Sequence, residues 1–166
     1  MKVTKPYKNS EFSVLLVCLG NICRSPTAEG VLRQMLAAQA PHLKVDIDSA
    51  GTADYHLGRA PDLRSQRAAM RRGIDLSGLR ARQVAPQDFE RFDLMLAMDR
   101  QNLRALEALR PRTSKARLKL FMEYAGRPGC LELPDPYCGD EEDFELVLDL
   151  ATAASRGLIE ALQKGA

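Results

Sequence analysis

Residues 12–26 read F-S-V-L-L-V-C-L-G-N-I-C-R-S-P. An apolar run from Val14 to Val17 delivers Cys18 to a loop containing Gly20, and Ser25-Pro26 then opens a helix. A short apolar strand that passes at once into a helix predicts the first half of a strand–helix–strand unit. Cys18 and Arg24 have five residues between them, the C-x5-R spacing of a loop that can cradle an anion. In such a loop the backbone N–H groups of Leu19, Gly20, Asn21, Ile22, Cys23, Arg24 and Ser25 turn inward. The positive end of the following helix adds to their field, and Arg24 supplies parallel donors from a rigid fork. The same field favours a thiolate at Cys18 and so makes it a nucleophile. The plainer reading is a small buried hydrophobe at a strand end. Gly20 as a turn former, Ser25 as a helix cap and Pro26 in the first helical turn argue for the anion loop instead.

Working outward, Ala28, Val31, Leu32, Met35 and Leu36 recur at helical spacing to about Gln39, and Pro41 ends the helix. V-D-I-D-S from Val45 to Ser49 alternates and reads as the second strand, in a right-handed parallel unit with the first. Gly51, Gly58 and Pro61 mark a loop, and Asp62 begins an amphipathic helix to about Arg72. Residues 73–83 are a turn-rich connector, and 85–91 a short helical piece. The run F-D-L-M-L-A-M, residues 92–98, predicts a buried third strand, after which Asp99 caps a helix that ends before Pro111. Residues 116–122 predict a fourth strand, and a last helix spans about 142–163. Alternating strands and helices predict an α/β fold: a small doubly wound parallel sheet of four strands with helices on both faces. In that architecture ligands bind at the carboxyl ends of the strands.

The chain has 166 residues, 45% apolar and 28% charged, which fits one soluble domain over residues 12–166 behind a flexible extension at 1–11. A net charge of +2 implies neither a nucleic-acid nor a membrane partner, no stretch reaches the length of a membrane span, and the N-terminus lacks the long apolar region of a signal peptide. Four cysteines, two of them in one tight loop, fit a reducing cytoplasm better than a secreted disulfide scaffold. No His/Cys cluster has metal-ligand spacing, and no cofactor is expected.

V-C-L-G-N-I-C-R-S-P, residues 17–26, resembles the signature loop of the low-molecular-weight protein tyrosine phosphatases. The likeness extends through S-A-G-T at 49–52, A-M-D at 97–99 and D-P-Y at 135–137. It implies Cys18 as nucleophile, Arg24 as the phosphate fork and Asp135 as general acid. It also implies a substrate cleft walled by Leu19, Tyr55 and Tyr137, with Tyr55 standing where many relatives carry Trp. Asn21, Ser25 and Ser49 are expected to brace the loop, because a strained inward-facing loop needs side-chain hydrogen bonds. Many relatives add a His to that bracing, and this chain has Leu79 in its place. Cys23 is, by the same likeness, the redox partner of Cys18, and an exposed low-pKa thiolate beside a second thiol has that profile. Cys130 and Cys138 read as incidental, and His56 as a surface residue.

Moving a phosphoryl group off an aryl oxygen needs a nucleophile, charge stabilisation and a proton for the leaving oxygen. Cys18, Arg24 with the loop amides, and Asp135 fill these places. Pro134 and Pro136 restrict the backbone around Asp135 and hold its carboxyl on a loop. The expected substrates are phosphotyrosine-containing proteins, and the expected state is a monomer or weak dimer. Two rivals stand beside this reading: a thiol-dependent arsenate reductase and a non-catalytic phosphate-binding module. The first needs further redox cysteines downstream, and residues 80–100 contain none. The second could dispense with Cys18 or Asp135, and both are present.

Overall fold

The computed structural model describes residues 11–165. The extension expected at 1–11 therefore lies, Glu11 apart, outside the described residues. Four strands, β1 (Phe12–Cys18), β2 (Val45–Gly51), β3 (Leu94–Ala97) and β4 (Arg117–Leu120), form one sheet in the order β2-β1-β3-β4, every pair parallel. Between them run α1 (Arg24–Gln39), α2 (Leu63–Met70), α3 (Asp88–Arg91) and α4 (Arg100–Leu109), and α5 (Glu141–Gln163) closes the chain.

β1 is uniformly apolar because both its faces are covered. Val14 and Leu16 face a core built with Leu32 of α1 and Leu148 of α5. Leu15 and Val17 face the opposite core with Phe89 of α3 and Leu106 of α4. β3 repeats the division, Leu94 and Leu96 to one side, Met95 and Ala97 to the other. A strand sandwiched in this way loses the polar alternation of a half-exposed one. Each such side chain taken out of water is worth about 1.5–3 kcal/mol, so the central pair of strands is the best-anchored part of the molecule.

The chain leaves β1 toward one side to make β2 and returns on the other side to make β3, so the strand order reverses at β1. A crevice opens at the carboxyl end of the strand where that happens. Cys18 is the last residue of β1 and stands at that crevice.

Several expected boundaries move. The third strand covers Leu94–Ala97 rather than 92–98, since β1 and β4 each offer it only four partners. Phe92 and Met98 flank it as buried residues. The fourth covers Arg117–Leu120, and the chain then tightens into a 3-10 turn at Phe121–Ala125. The second helix is Leu63–Met70, with the Asp62 side chain accepting the Arg64 N–H as its cap. Ser25 does not cap α1: the helix begins at Arg24 and carries no side-chain cap, because the Ser25 hydroxyl is engaged elsewhere.

Candidate active site

The loop between β1 and α1 closes on the Cys18 sulfur. Cys18 is 3% exposed, and its sulfur accepts the Asn21 N–H at 3.3 Å and meets the Ser25 hydroxyl at 3.1 Å. That inward turn is made at Asn21, whose φ of 56° is in the left-handed region. Asn tolerates that region far better than most residues, so the turn falls where the chain can hold it. Gly20, expected to make the turn, has no positive φ; a Cβ there would come 2.9 Å from the His56 ring, which would have to shift.

The Asn21 side chain braces the loop on three sides. Its Nδ2 donates to Ser25 Oγ at 2.7 Å and to Ser49 Oγ at 3.0 Å, while its Oδ1 accepts the Arg82 N–H at 3.0 Å. Asn21, Ser25 and Ser49 thus come together as expected. Two residues unforeseen from the sequence complete the brace. Arg82 is pinned by Asp48 and by a forked pair with Asp88, and Glu29, buried at 2% exposure, accepts the Ser49 hydroxyl at 2.6 Å. Burial pushes the Glu29 carboxyl up from the ordinary range, and its bonds from Ser49 and Arg33 pull it back. Leu79 packs against the main core and brings no polar atom to the brace.

Arg24 is 4% exposed and held by its Nη1, which donates to Asp99 Oδ2 at 2.6 Å and to the Leu133 carbonyl at 3.1 Å. Asp99 does cap α4 as expected, through Oδ1 and the Asn102 N–H at 2.7 Å, but its other oxygen aims the arginine. The Nη2 side of the fork faces Asp135, with 3.6 Å between Nη2 and Oδ2. Asp135 is about half exposed, and its Oδ1 accepts the Tyr137 N–H at 3.1 Å, which turns the carboxyl back over its own loop.

These residues line one cleft of about 200 Å³, with Cys18 and Arg24 at its floor and Tyr55, Tyr137 and Asp135 on its walls. Leu19, Gly20, Ile22 and Cys23 also line it, and Leu19 is partly exposed. Tyr55 and Tyr137 are 69% and 49% exposed, so both rings offer apolar faces to whatever enters. His56, read as a surface residue, also lines this cleft, packed edge-on to Tyr55. Cys23 is 5% exposed, and burial pushes its thiol up to about 12. The two neighbouring thiols differ in setting: the Cys18 sulfur accepts the Asn21 N–H, and burial holds the proton on Cys23. All four cysteines are free.

Residues 13–166 match the family model described as low molecular weight phosphotyrosine protein phosphatase. The chain belongs to that family. It is 41% identical over 150 residues to the human low molecular weight phosphotyrosine protein phosphatase, covering 89% of this chain and 94% of the human one. It is 37% identical over 152 residues to the low molecular weight protein-tyrosine-phosphatase YfkJ of Bacillus subtilis, covering 92% and 96% of the two chains. The crystal structure of a protein tyrosine phosphatase from Entamoeba histolytica with Hepes in its active site superposes with a TM-score of 0.87 at 36% identity, covering 93% of this chain and 98% of that one. The α/β fold expected from the sequence of this phosphatase is therefore the family's fold.

Proposed function

We propose that this phosphatase hydrolyses phosphotyrosine in proteins by a two-step exchange at Cys18. The observation that carries the proposal is the convergence, in one cleft, of a sulfur held by the Asn21 N–H, a guanidinium tied at one edge by Asp99, and the Asp135 carboxyl. The phosphoryl group enters against the loop amides and the Nη2 side of Arg24. Cys18 thiolate attacks phosphorus, the bond to the tyrosyl oxygen breaks, and Asp135 gives that oxygen its proton. The loop amides and Arg24 hold the equatorial oxygens throughout. Asp135, now a carboxylate, takes a proton from water as the water's oxygen attacks phosphorus and expels the sulfur. Inorganic phosphate and the Cys18 thiolate result.

The aryl ring of the substrate lies between Tyr55 and Tyr137, with Leu19 below it. Asn21, Ser25 and Ser49 keep the loop amides turned inward. Cys23 serves as the redox partner of Cys18. The four free thiols support a reducing, cytoplasmic setting, and among the described residues no helix is long and apolar enough to cross a membrane. A monomer or weak dimer suffices, because every group in the cycle comes from one chain.

Steady-state hydrolysis of an aryl phosphate tests the assignment. Cys18→Ser abolishes turnover while binding of tungstate to the cleft persists. Turnover by Cys18→Ser within tenfold of the parent would refute the nucleophile.

A further inference from the structure

Tyr137 walls the cleft, yet its own loop does little to fix its ring. Its backbone N–H is spent on Asp135, the ring stands half-exposed, and among the described residues its hydroxyl makes no hydrogen bond. The cation over that ring belongs to another element: Arg64, in the first turn of α2, has its Cζ 5.5 Å from the ring centroid. We propose that Arg64 is a positioning residue that holds the Tyr137 ring as a preformed wall for the aryl group of the substrate. The proposal rests on the reading of Tyr137 as the wall that meets that aryl group.

Arg64 is itself held firmly enough to do this. Asp62 Oδ1 accepts the Arg64 Nε–H at 3.0 Å, and Oδ2 accepts from Nη2 at 2.9 Å. Two parallel bonds to one carboxylate fix the plane of a guanidinium, which a single contact would leave free to turn. The same guanidinium lies 4.7 Å from the ring centroid of Phe144, a buried residue of α5 that does not move with the loop. Asp62 in turn donates its backbone N–H to the Ile22 carbonyl at 2.8 Å, and Ile22 lines the cleft. A line of contacts thus runs from the phosphate-binding loop through Asp62 and Arg64 to Tyr137.

Arg64 does not line the cleft, so it acts through Tyr137 and not on the substrate. A cation within about 6 Å of an aromatic centroid is attracted to the ring face, which narrows the positions the ring can take. An incoming aryl group then meets a wall already in place. Without Arg64 the ligand would have to order that side chain as it binds, and the ordering would weaken its affinity.

Benzylphosphonate and methylphosphonate, compared as competitive inhibitors of aryl phosphate hydrolysis, test this. Both bring the same charged head to the loop, and only the first carries a ring. The ratio of their inhibition constants isolates what the ring gains and cancels any change in charge around the loop. Arg64→Met lowers the preference for the benzyl compound about threefold to tenfold. In Tyr137→Ala the preference is already reduced, and adding Arg64→Met lowers it no further. Asp62→Asn keeps a good helix cap but breaks the fork on Arg64. It lowers the preference in the same sense, and decides the matter where Arg64→Met fails to fold. A ratio unchanged in Arg64→Met overturns the proposal and leaves Arg64 a tether between α2 and α5. So does a loss of equal size with and without the Tyr137 ring. If Tyr137→Ala alone left the ratio unchanged, the reading of Tyr137 as the wall would fall, taking the proposal with it, and the two failures are distinct.

Discussion

Asp135 and Cys23 carry the sharpest consequences among single residues. Asp135 lies on an exposed loop beside the arginine fork, where it can hand a proton to a departing oxygen. Asp135→Ala is expected to slow turnover by about 10²–10⁴ for phosphorylated alcohols and poor phenols. It should slow substrates with acidic leaving groups far less. A series of aryl phosphates of graded leaving-group acidity measures this, and equal slowing across the series would remove Asp135 from the proton-donor role. Cys23 is a different case, since burial holds its thiol at about 12. After peroxide converts Cys18 to a sulfenic acid, Cys23 must lose its proton before it can displace the hydroxyl and form the disulfide. Disulfide formation should therefore be slow near neutral pH and quicken about tenfold per unit as pH rises toward 12, followed by mass spectrometry of the quenched protein. A rate flat over that range would show that Cys23 is not the attacking thiol. Cys18, Arg24 and Asp135 could be singled out as candidates because each stands in a short motif that carries the family resemblance, and one cleft brings the three together. Glu29 could not. In sequence it is one more charged residue on a helix, and the hydroxyl it accepts belongs to Ser49, twenty positions away.

The helices show the same division between local and distant causes. Asp62 was readable as the start of α2 because an N-cap is a property of a few adjacent residues. Its carboxyl accepts from Arg64 through both side chain and backbone, and the Arg64 side chain is the main reason that its pKa is lowered. Asp62→Ala should cost about 1 kcal/mol in urea unfolding at neutral pH. The sign of the pH dependence follows from the lowered pKa: the contribution is present above the unfolded value, about 3.9, and fades as pH falls through the folded one. The difference in stability between the parent and Asp62→Ala should therefore shrink as pH falls below the unfolded value, about 3.9, and a difference that stays constant through that fall would contradict the cap's ionic character. Ser25 shows the opposite lesson. Sequence makes it a good cap for α1, but the sulfur and the Asn21 amide claim its hydroxyl, so the helix keeps its first N–H groups uncapped at the floor of the cleft. Asp99 obeys both rules at once, capping α4 with one oxygen and aiming Arg24 with the other. Only the first of those is a neighbour effect, and only the first could be read from the chain.

The parallel sheet and its helix-covered faces emerged from pattern alone, because a strand covered on both faces has to be apolar throughout and the connections leave few topologies. The extent of pairing did not. The run 92–98 is apolar over more residues than the sheet uses, and its limits come from partners on β1 and β4 that no local window contains. Tight docking of α5 on the 3-10 turn is another long-range feature. A Cβ at Gly157 would stand 1.8 Å from the Tyr124 carbonyl oxygen, a backbone atom that cannot swing aside. Helix propensity would favour Gly157→Ala by about 1 kcal/mol, while forcing the helix off the turn costs about 1–3 kcal/mol or more. The clash should win, and thermal or urea unfolding should show a net loss; a net gain would mean that α5 rides more loosely than this packing implies. Through such docking the last helix holds the core beneath β1, and the core in turn fixes where Cys18 ends its strand.

Rapid acid quench of the enzyme during turnover of a phosphotyrosyl peptide, followed by mass spectrometry of the fragment holding residues 12–26, tests the covalent step most directly. A phosphoryl group on Cys18 in the parent, missing from Cys18→Ser, is the predicted result. Product release at full rate by the parent with no phosphoryl group on Cys18 at any quench time would contradict it.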